Sequence, residues 1–196
     1  DETYIMGYCN SFVKIGIDKE FNYFGIRFLP GIFPSLFNID ASELSNHYER
    51  LNTVQPCIYN VIQQSKDRCL CLQDLCDELN IYFIKHINKI DKPFDNRFFC
   101  ALETILKSKG SIIIEKDLND GISSRHLQRL FNFYIGDTAK SFCRIVRFQN
   151  LLKIDPSVKL IKSEKSYYDF GYYDQNHFIK EFKLFYGKTP SKIAAE

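Results

Sequence analysis

The sequence lacks a long apolar run, a leader and the residue sets on which most enzymes depend. The uncharged stretch Phe28–Ile39 is twelve residues long and holds Pro30 and Pro34, whereas a bilayer crossing takes about 20 apolar residues in one helix. No membrane partner is therefore expected. No secretory leader pattern opens the chain, which is the composition of a cytoplasmic protein. The chain starts on Asp1 within what reads as part of a folded unit, so further residues are expected upstream. No Ser/His/Asp set, no paired-carboxylate pattern and no Gly-rich phosphate loop is found, and the reading is not an enzyme. His47 and His86 stand far apart without a partner pattern and read as satisfied surface or core residues.

The sequence also has no Cys-x-x-Cys pair. Its seven cysteines are an odd number, and Cys57, Cys69, Cys71 and Cys76 cluster. A zinc site usually asks for a two-residue spacer, and Cys69-x-Cys71 does not supply one. Cys69 and Cys76 are i, i+7 on an expected helix, which puts them on one buried face. Buried thiols in a reducing cytoplasm are the favoured reading, with no metal and no cofactor. Zinc or redox sensing is the minority reading, and with it a DNA-repair methyl acceptor.

What is present is unevenly distributed. The formal charge of +2 conceals an acidic half and a basic half. Residues 1–90 carry 8 Lys+Arg and 11 Asp+Glu, and residues 91–196 carry 18 and 13. Cations gathered on one surface suit nucleic acid, although the same excess on a solvated surface would mean nothing. Asp91-Lys92-Pro93 breaks the helical pattern, because the residue before a proline leaves the α region. The domain boundary falls there, between residues 1–90 and 91–196.

The first half begins with strand-like segments at Tyr4–Met6, Ser11–Ile17 and Tyr23–Leu29, rich in Ile, Val, Phe and Tyr. Helices are expected at Pro34–Asn38, at Asp40–Leu51 under an Asp40 or Ser42 cap, at Pro56–Gln64 and at Arg68–Lys89. About thirty residues of strand cannot close a barrel, so this β region is incomplete or its edge pairs with another chain. In the second half, Asp95–Lys109 and Thr138–Lys153 read as helices, and Asp155-Pro156 ends the latter.

The most informative stretch is Gly171 to Pro190. Asp174 is placed to cap a helix, Phe178, Phe182 and Phe185 follow at i, i+4 and i+7 as a buried stripe, and Gly187 suits the left-handed residue after a helix end. Gln175, Asn176, His177, Lys180 and Lys183 mostly fall off the stripe. Thr189-Pro190 reads as the start of a last short helix. The same design occurs 51 residues earlier, with Ser123 as cap, Leu127 and Phe131 on the stripe, Arg129 opposite, Gly136 at the end and Thr138-Ala139 after it. A short helical segment and a glycine turn precede each copy: Ile113–Asn119 with Gly121, and Glu164–Phe170 with Gly171. Short helix, turn and polar-faced helix make a helix-turn-helix, so one chain carries two, at about 112–135 and 164–186.

The C-terminal hundred residues resemble the DNA-binding domain of AraC-type transcription regulators. That family's second motif runs Gly-aromatic-x-Asp-x-Ser-x-Phe-x-Arg-x-Phe-Lys-x-x-x-Gly-x-Thr-Pro, met here with Asn176 for the Ser and Lys180 for the Arg. Its first motif, Ser-x-Arg-x-Leu-x-Arg-x-Phe, appears as Ser123, Arg125, Leu127, Arg129 and Phe131, and its linker-helix arginines match Arg144 and Arg147. Phe24-Gly25-Ile26-Arg27-Phe28-x-Pro30-Gly31 resembles the tail of the small β domain that precedes the helices in one AraC-like subgroup. The chain departs from the pattern at Asp117 and Tyr167, where the family has a small Ala, and at Ala139, where it has Pro.

The resemblance implies a mainly α fold. A double helix-turn-helix domain joined by a linker helix would follow a helical segment and the short β region. It implies a bacterial, cytoplasmic transcription regulator that binds double-stranded DNA. Arg pairs bidentately with guanine and Gln with adenine. By correspondence, Ser124, Arg125, Gln128 and Arg129 reach the major groove from the first motif, and Gln175, Asn176, His177 and Lys180 from the second. Lys183 corresponds to a phosphate contact. Lys140, Arg144, Arg147 and Lys188 are phosphate or structural candidates, with Arg147 often paired internally in the family. His126 contacts DNA or packs on Phe131. Residues 1–90 would sense a small-molecule effector or bind a partner, including RNA polymerase or a second copy of the chain. The rival reading is a sensing or interaction module that has lost DNA binding.

Overall fold

The computed structural model describes residues 2–16, 23–68, 71–90, 94–118, 121–154, 168 and 170–193. In chain order the elements are β1 (Tyr4–Met6), α1 (Ile32–Phe37), a 3-10 turn (Ala41–Leu44), β2 (Tyr48–Arg50), α2 (Leu51–Val54), α3 (Pro56–Arg68), α4 (Leu72–Ile87) and α5 (Asn96–Lys107). After them come α6 (Ile114–Asp117), α7 (Ser124–Ile135), α8 (Ala139–Ile154), α9 (Gln175–Tyr186) and α10 (Pro190–Ile193). The fold is mainly α, as expected, with a two-stranded antiparallel sheet near the start in which Tyr4 faces Arg50 and Met6 faces Tyr48. The breaks expected at Asp91–Pro93 and at Asp155-Pro156, Tyr167 and most of the first helix of the second motif lie outside the described residues.

Three expectations for the first half are corrected. Residues 11–16 and 23–29 are not strand, although they carry β-formers. Propensity alone does not make a strand without an edge to pair with. The helix expected over Asp40–Leu51 is instead a 3-10 turn, the strand β2 and the start of α2. Asp40 does cap that turn, its carboxylate accepting from the Ser42 amide at 2.9 Å, but Tyr48–Arg50 is drawn away to pair with β1. The helix expected from Arg68 begins at Leu72, behind a cap at Cys71. The Cys71 amide donates to the Asp74 carboxylate at 3.2 Å. That places Cys71 and Cys57 on the surface and Cys76 half-buried, so the expected buried thiol face is absent for these three. Cys69 lies outside the described residues. No group of three His, Cys, Asp or Glu among the described residues is arranged to hold a metal ion. His86, by contrast, is satisfied: its Nε2 meets the Leu36 carbonyl at 3.0 Å, and the ring stacks on Tyr82.

The apolar residues fall into three clusters. One joins Leu51, Ile58, Ile62, Leu75 and Leu79 beneath α2, α3 and α4. The second is built on Phe98, Ile105, Leu127, Phe131, Ile135 and Phe142, and the third on Phe148, Leu151, Tyr172, Phe178 and Phe182. These last two are the cores of two C-terminal units, one around α7 and one around α9. The helix α8 contributes to both: its first half gives Ala139, Phe142, Cys143 and Val146 to one, and its second half gives Phe148 and Leu151 to the other. Cys143 is buried there, and that burial pushes its thiol up to about 11.

Residues 1–90 reach the C-terminal units along a strap at Gly7–Phe12. The Tyr8 ring lies 6.3 Å from Phe142, and its hydroxyl is 3.4 Å from that of Ser141. The Asn10 side chain donates to the Asp137 carboxylate at 2.8 Å. The Phe12 amide donates to the Leu184 carbonyl at 2.9 Å. The strap thus touches the start of α8 and the end of α9. The 3-10 turn packs on α7.

Candidate nucleic-acid interface

Each unit presents one helix whose start, faces and end are written into its sequence. On α7 the Ser123 hydroxyl accepts from the His126 amide at 3.3 Å. On α9 the Asp174 carboxylate accepts from the His177 amide at 2.7 Å. The Asp174 bond satisfies an amide that has no partner inside the helix, and the Ser123 hydroxyl adds to the bond that the His126 amide makes with the Ser123 carbonyl at 2.9 Å. Both helices run twelve residues and end on a left-handed glycine, Gly136 at φ 92° and Gly187 at φ 85°. The offset of 51 residues therefore relates two equivalent structures. A side chain on Gly136 would meet the Ala41 carbonyl oxygen at 2.7 Å, which adds a packing reason to the conformational one.

On α7 the apolar face is Leu127, Leu130, Phe131 and Ile135, all buried. Ser124, Arg125, Gln128 and Arg129 are exposed on the other side. Arg125, Gln128 and Arg129 fall at i, i+3 and i+4, so they form one strip. Asn132 continues it by one turn and is exposed too. The strip borders an open groove of about 630 Å³ that Asp40 also lines. Sequence reasoning missed Asn132, although its spacing from Gln128 and Arg129 would have found it. Nothing in the sequence places Asp40 beside this helix.

On α9, Phe178 and Phe182 are buried and Phe185 is half-buried, as the stripe requires. Gln175, Asn176, Lys180 and Lys183 are exposed. Asn176, Lys180 and Lys183 share a strip at i, i+4 and i+7, with Gln175 at the helix start. His177 is different: it is half-buried, and its Nε2 lies 3.5 Å from the carboxylate of Glu181. His126, the corresponding residue on α7, is also half-buried. Tyr173, in the turn before α9, is exposed too.

The two linker-helix arginines turn inward. Arg147 donates to the Gly171 carbonyl at 3.2 Å and to the Gly110 carbonyl at 3.3 Å, and its guanidinium lies 5.5 Å from the centre of the Tyr172 ring. One side chain thereby fastens a glycine turn in each unit. Arg144 forms an ion pair with Glu181, which is 2 % exposed. Burial first, then the charge of Glu181, holds the Tyr172 phenol above its ordinary range.

Asp117, the departure in α6, is exposed, and its carboxylate accepts from the Ile113 amide at 2.8 Å. It closes its own turn rather than entering the core, so the first unit packs without the small residue. Ala139, the other departure among the described residues, is buried in the first turn of α8, and the Thr138 hydroxyl caps that helix by accepting from the Ser141 amide at 3.1 Å. Among the described residues no helix is long and apolar enough to cross a membrane.

Comparison with known families agrees with this architecture. Residues 120–196 match the family described as Helix-turn-helix domain, a DNA-binding regulatory family and not an enzymatic one. Residues 1–50 match the family described as Domain of unknown function (DUF6597). No curated protein and no solved structure shows a significant match to the chain. Residues 120–196 are thus an AraC-type helix-turn-helix domain, and the pairing of this domain with the N-terminal one is consistent with the family of AraC-type regulators.

Proposed function

We propose that the protein is a sequence-specific transcription regulator that lays α7 and α9 into successive major-groove segments on one side of a DNA duplex. The observation that carries this reading is the pair of equivalent capped helices, each with an exposed strip of amides and cations opposite a buried face. The shared helix α8 holds the two together. Groove segments on one DNA face recur about every 34–36 Å, or 10–10.5 base pairs. Because the two strips differ in sequence, a single chain would read an asymmetric site. Residues 1–90 take the sensing or partner-binding role.

Selection of duplexes from a random library by the full chain tests this. The expected result is a recovered pair of unlike segments about one helical turn apart, bound more tightly than random DNA at two salt concentrations. Equal binding to selected and random duplexes would overturn it.

Two sets of variants test the docking. Arg129→Ala is expected to weaken the best site by about 1–3 kcal/mol and to relax preference at one base step. Equal loss on specific and random DNA would assign Arg129 to phosphate instead. Gln175 and Lys183 are expected to part company although both are exposed on α9. Gln175 sits at the helix start, the end that reaches base edges in helix-turn-helix docking, and its amide matches adenine. Lys183 lies about 12 Å further along the axis, at 1.5 Å per residue, where a flexible point charge meets phosphate. Gln175→Ala should change which base is preferred and leave the salt dependence nearly intact. Lys183→Ala should weaken all sequences alike and reduce the slope of log K against log salt by about 1. Swapped phenotypes would show that the helix does not enter the groove this way.

A further inference from the structure

Glu181 is the one acidic side chain in the described core; apart from Ser65, the buried residues there are apolar. It sits on α9 between Phe178 and Phe182, and its Oε1 is met by one side chain from α8 and one from α9 itself. Arg144, from α8, donates to it through Nε. His177, one turn earlier on α9, brings Nε2 to 3.5 Å. Arg144 is itself held over the Phe185 ring at 5.5 Å. Among the described residues the second oxygen, Oε2, is buried with no hydrogen-bond partner, as are the Tyr172 hydroxyl and His177 Nδ1.

Stability does not account for this arrangement. Taking a carboxylate and a guanidinium out of water costs more than their attraction returns in many proteins, and an apolar pair of similar volume is often as stable or more so. What the ion pair adds is direction. An apolar contact between two helices tolerates sliding and rotation, whereas a charge-assisted bond to a planar guanidinium holds only within a narrow range of geometry. Since α8 is also part of the first unit's core, a fixed angle between α8 and α9 is a fixed angle between α7 and α9.

We propose that Glu181 is a positioning residue for DNA recognition: through Arg144 it sets the separation of the two recognition helices, and through His177 it sets how the second strip is presented. This rests on the DNA-binding reading above. The role it assigns is the choice of spacing between the two half-sites, which neither strip can determine by itself.

The test compares the full-length parent and Glu181→Gln on the selected duplex and on duplexes with one base pair added or removed between the segments. Both are also measured on duplexes with a single mismatch in the segment read by α7. Glu181→Gln keeps the shape and removes the charge. It is expected to lose discrimination between the correct and altered spacing by about tenfold, within the range for coupled sites, while discrimination in the first segment stays at the parent value. Were Glu181→Gln to unfold, the double variant Glu181→Met, Arg144→Met leaves no charge buried and is expected to fold and show the same loss. Parent-like spacing discrimination in a folded variant would overturn the inference and leave the DNA-binding reading standing, as would an equal loss on every duplex. A parent chain that binds no duplex would overturn both.

Discussion

Phe182→Ala is expected to destabilise the chain by about 3–5 kcal/mol, the usual cost of deleting a buried aromatic. The ring is 1 % exposed. Its centre lies 5.4 Å from that of Phe148 on α8, 5.7 Å from Phe178 and 5.3 Å from Tyr186. The first two contacts are edge-to-face, the arrangement aromatic pairs favour beyond their area alone. At about 2–4 °C per kcal/mol for a chain of this length, the thermal midpoint should fall by roughly 6–20 °C. Denaturant unfolding checks the same quantity. A midpoint equal to that of the parent would mean that Phe182 is not the centre of the second unit.

Gly110→Ala is expected to cost about 3 kcal/mol, although it adds one methyl group. Gly110 has φ 76°, a conformation that penalises any residue with a Cβ by roughly 1–2 kcal/mol. The added carbon would also lie 2.3 Å from the Cys143 carbonyl oxygen and 3.0 Å from the Arg147 amide nitrogen. Both are backbone atoms in the middle of α8 and cannot swing away as a side chain would, so strain of about 1–3 kcal/mol is added. The Gly110 carbonyl, which accepts from Arg147, would shift with it. Gly121 provides the control. Its φ is 73°, yet no atom of the described residues lies within 4 Å of the position a Cβ would take, so Gly121→Ala should cost only the conformational part. Equal losses for the two variants in parallel melts would show that Gly110 does not approach α8 as described.

The parts of this fold legible in the sequence are those set by neighbours a few residues away. Ser123 and Asp174 each cap by reaching an amide three residues on, and Gly136 and Gly187 end their helices by local conformation alone. The buried stripes of α7 and α9 follow from the 3.6-residue period. The exposed positions among the candidate contacts follow from the same phase. Contacts that join distant segments left no such trace. Tyr48–Arg50 looks helical until β1 pairs with it. Glu181 belongs by spacing beside the polar face, and only Arg144, 37 residues away, makes its burial tolerable. His177 falls by spacing with the exposed strip and is half-buried against Glu181, one turn further on. Asp40 lines the same groove as Arg125 and Arg129 because the 3-10 turn packs on α7, which no local pattern announces.

The strap at Gly7–Phe12 has a consequence for the order of events during synthesis. Asn10 is 127 residues from Asp137, and Tyr8 is 133 from Ser141. The strap leaves the ribosome long before either exists, and at about 5–20 residues per second it waits on the order of ten seconds for its seat. Helix α4 and the glycine turns can form from local contacts in far less than that time. Closing so long a loop carries its entropy cost before any bond repays it. The strap, made ahead of both units, is therefore among the last segments to be seated, when both units are already complete and ready to receive it.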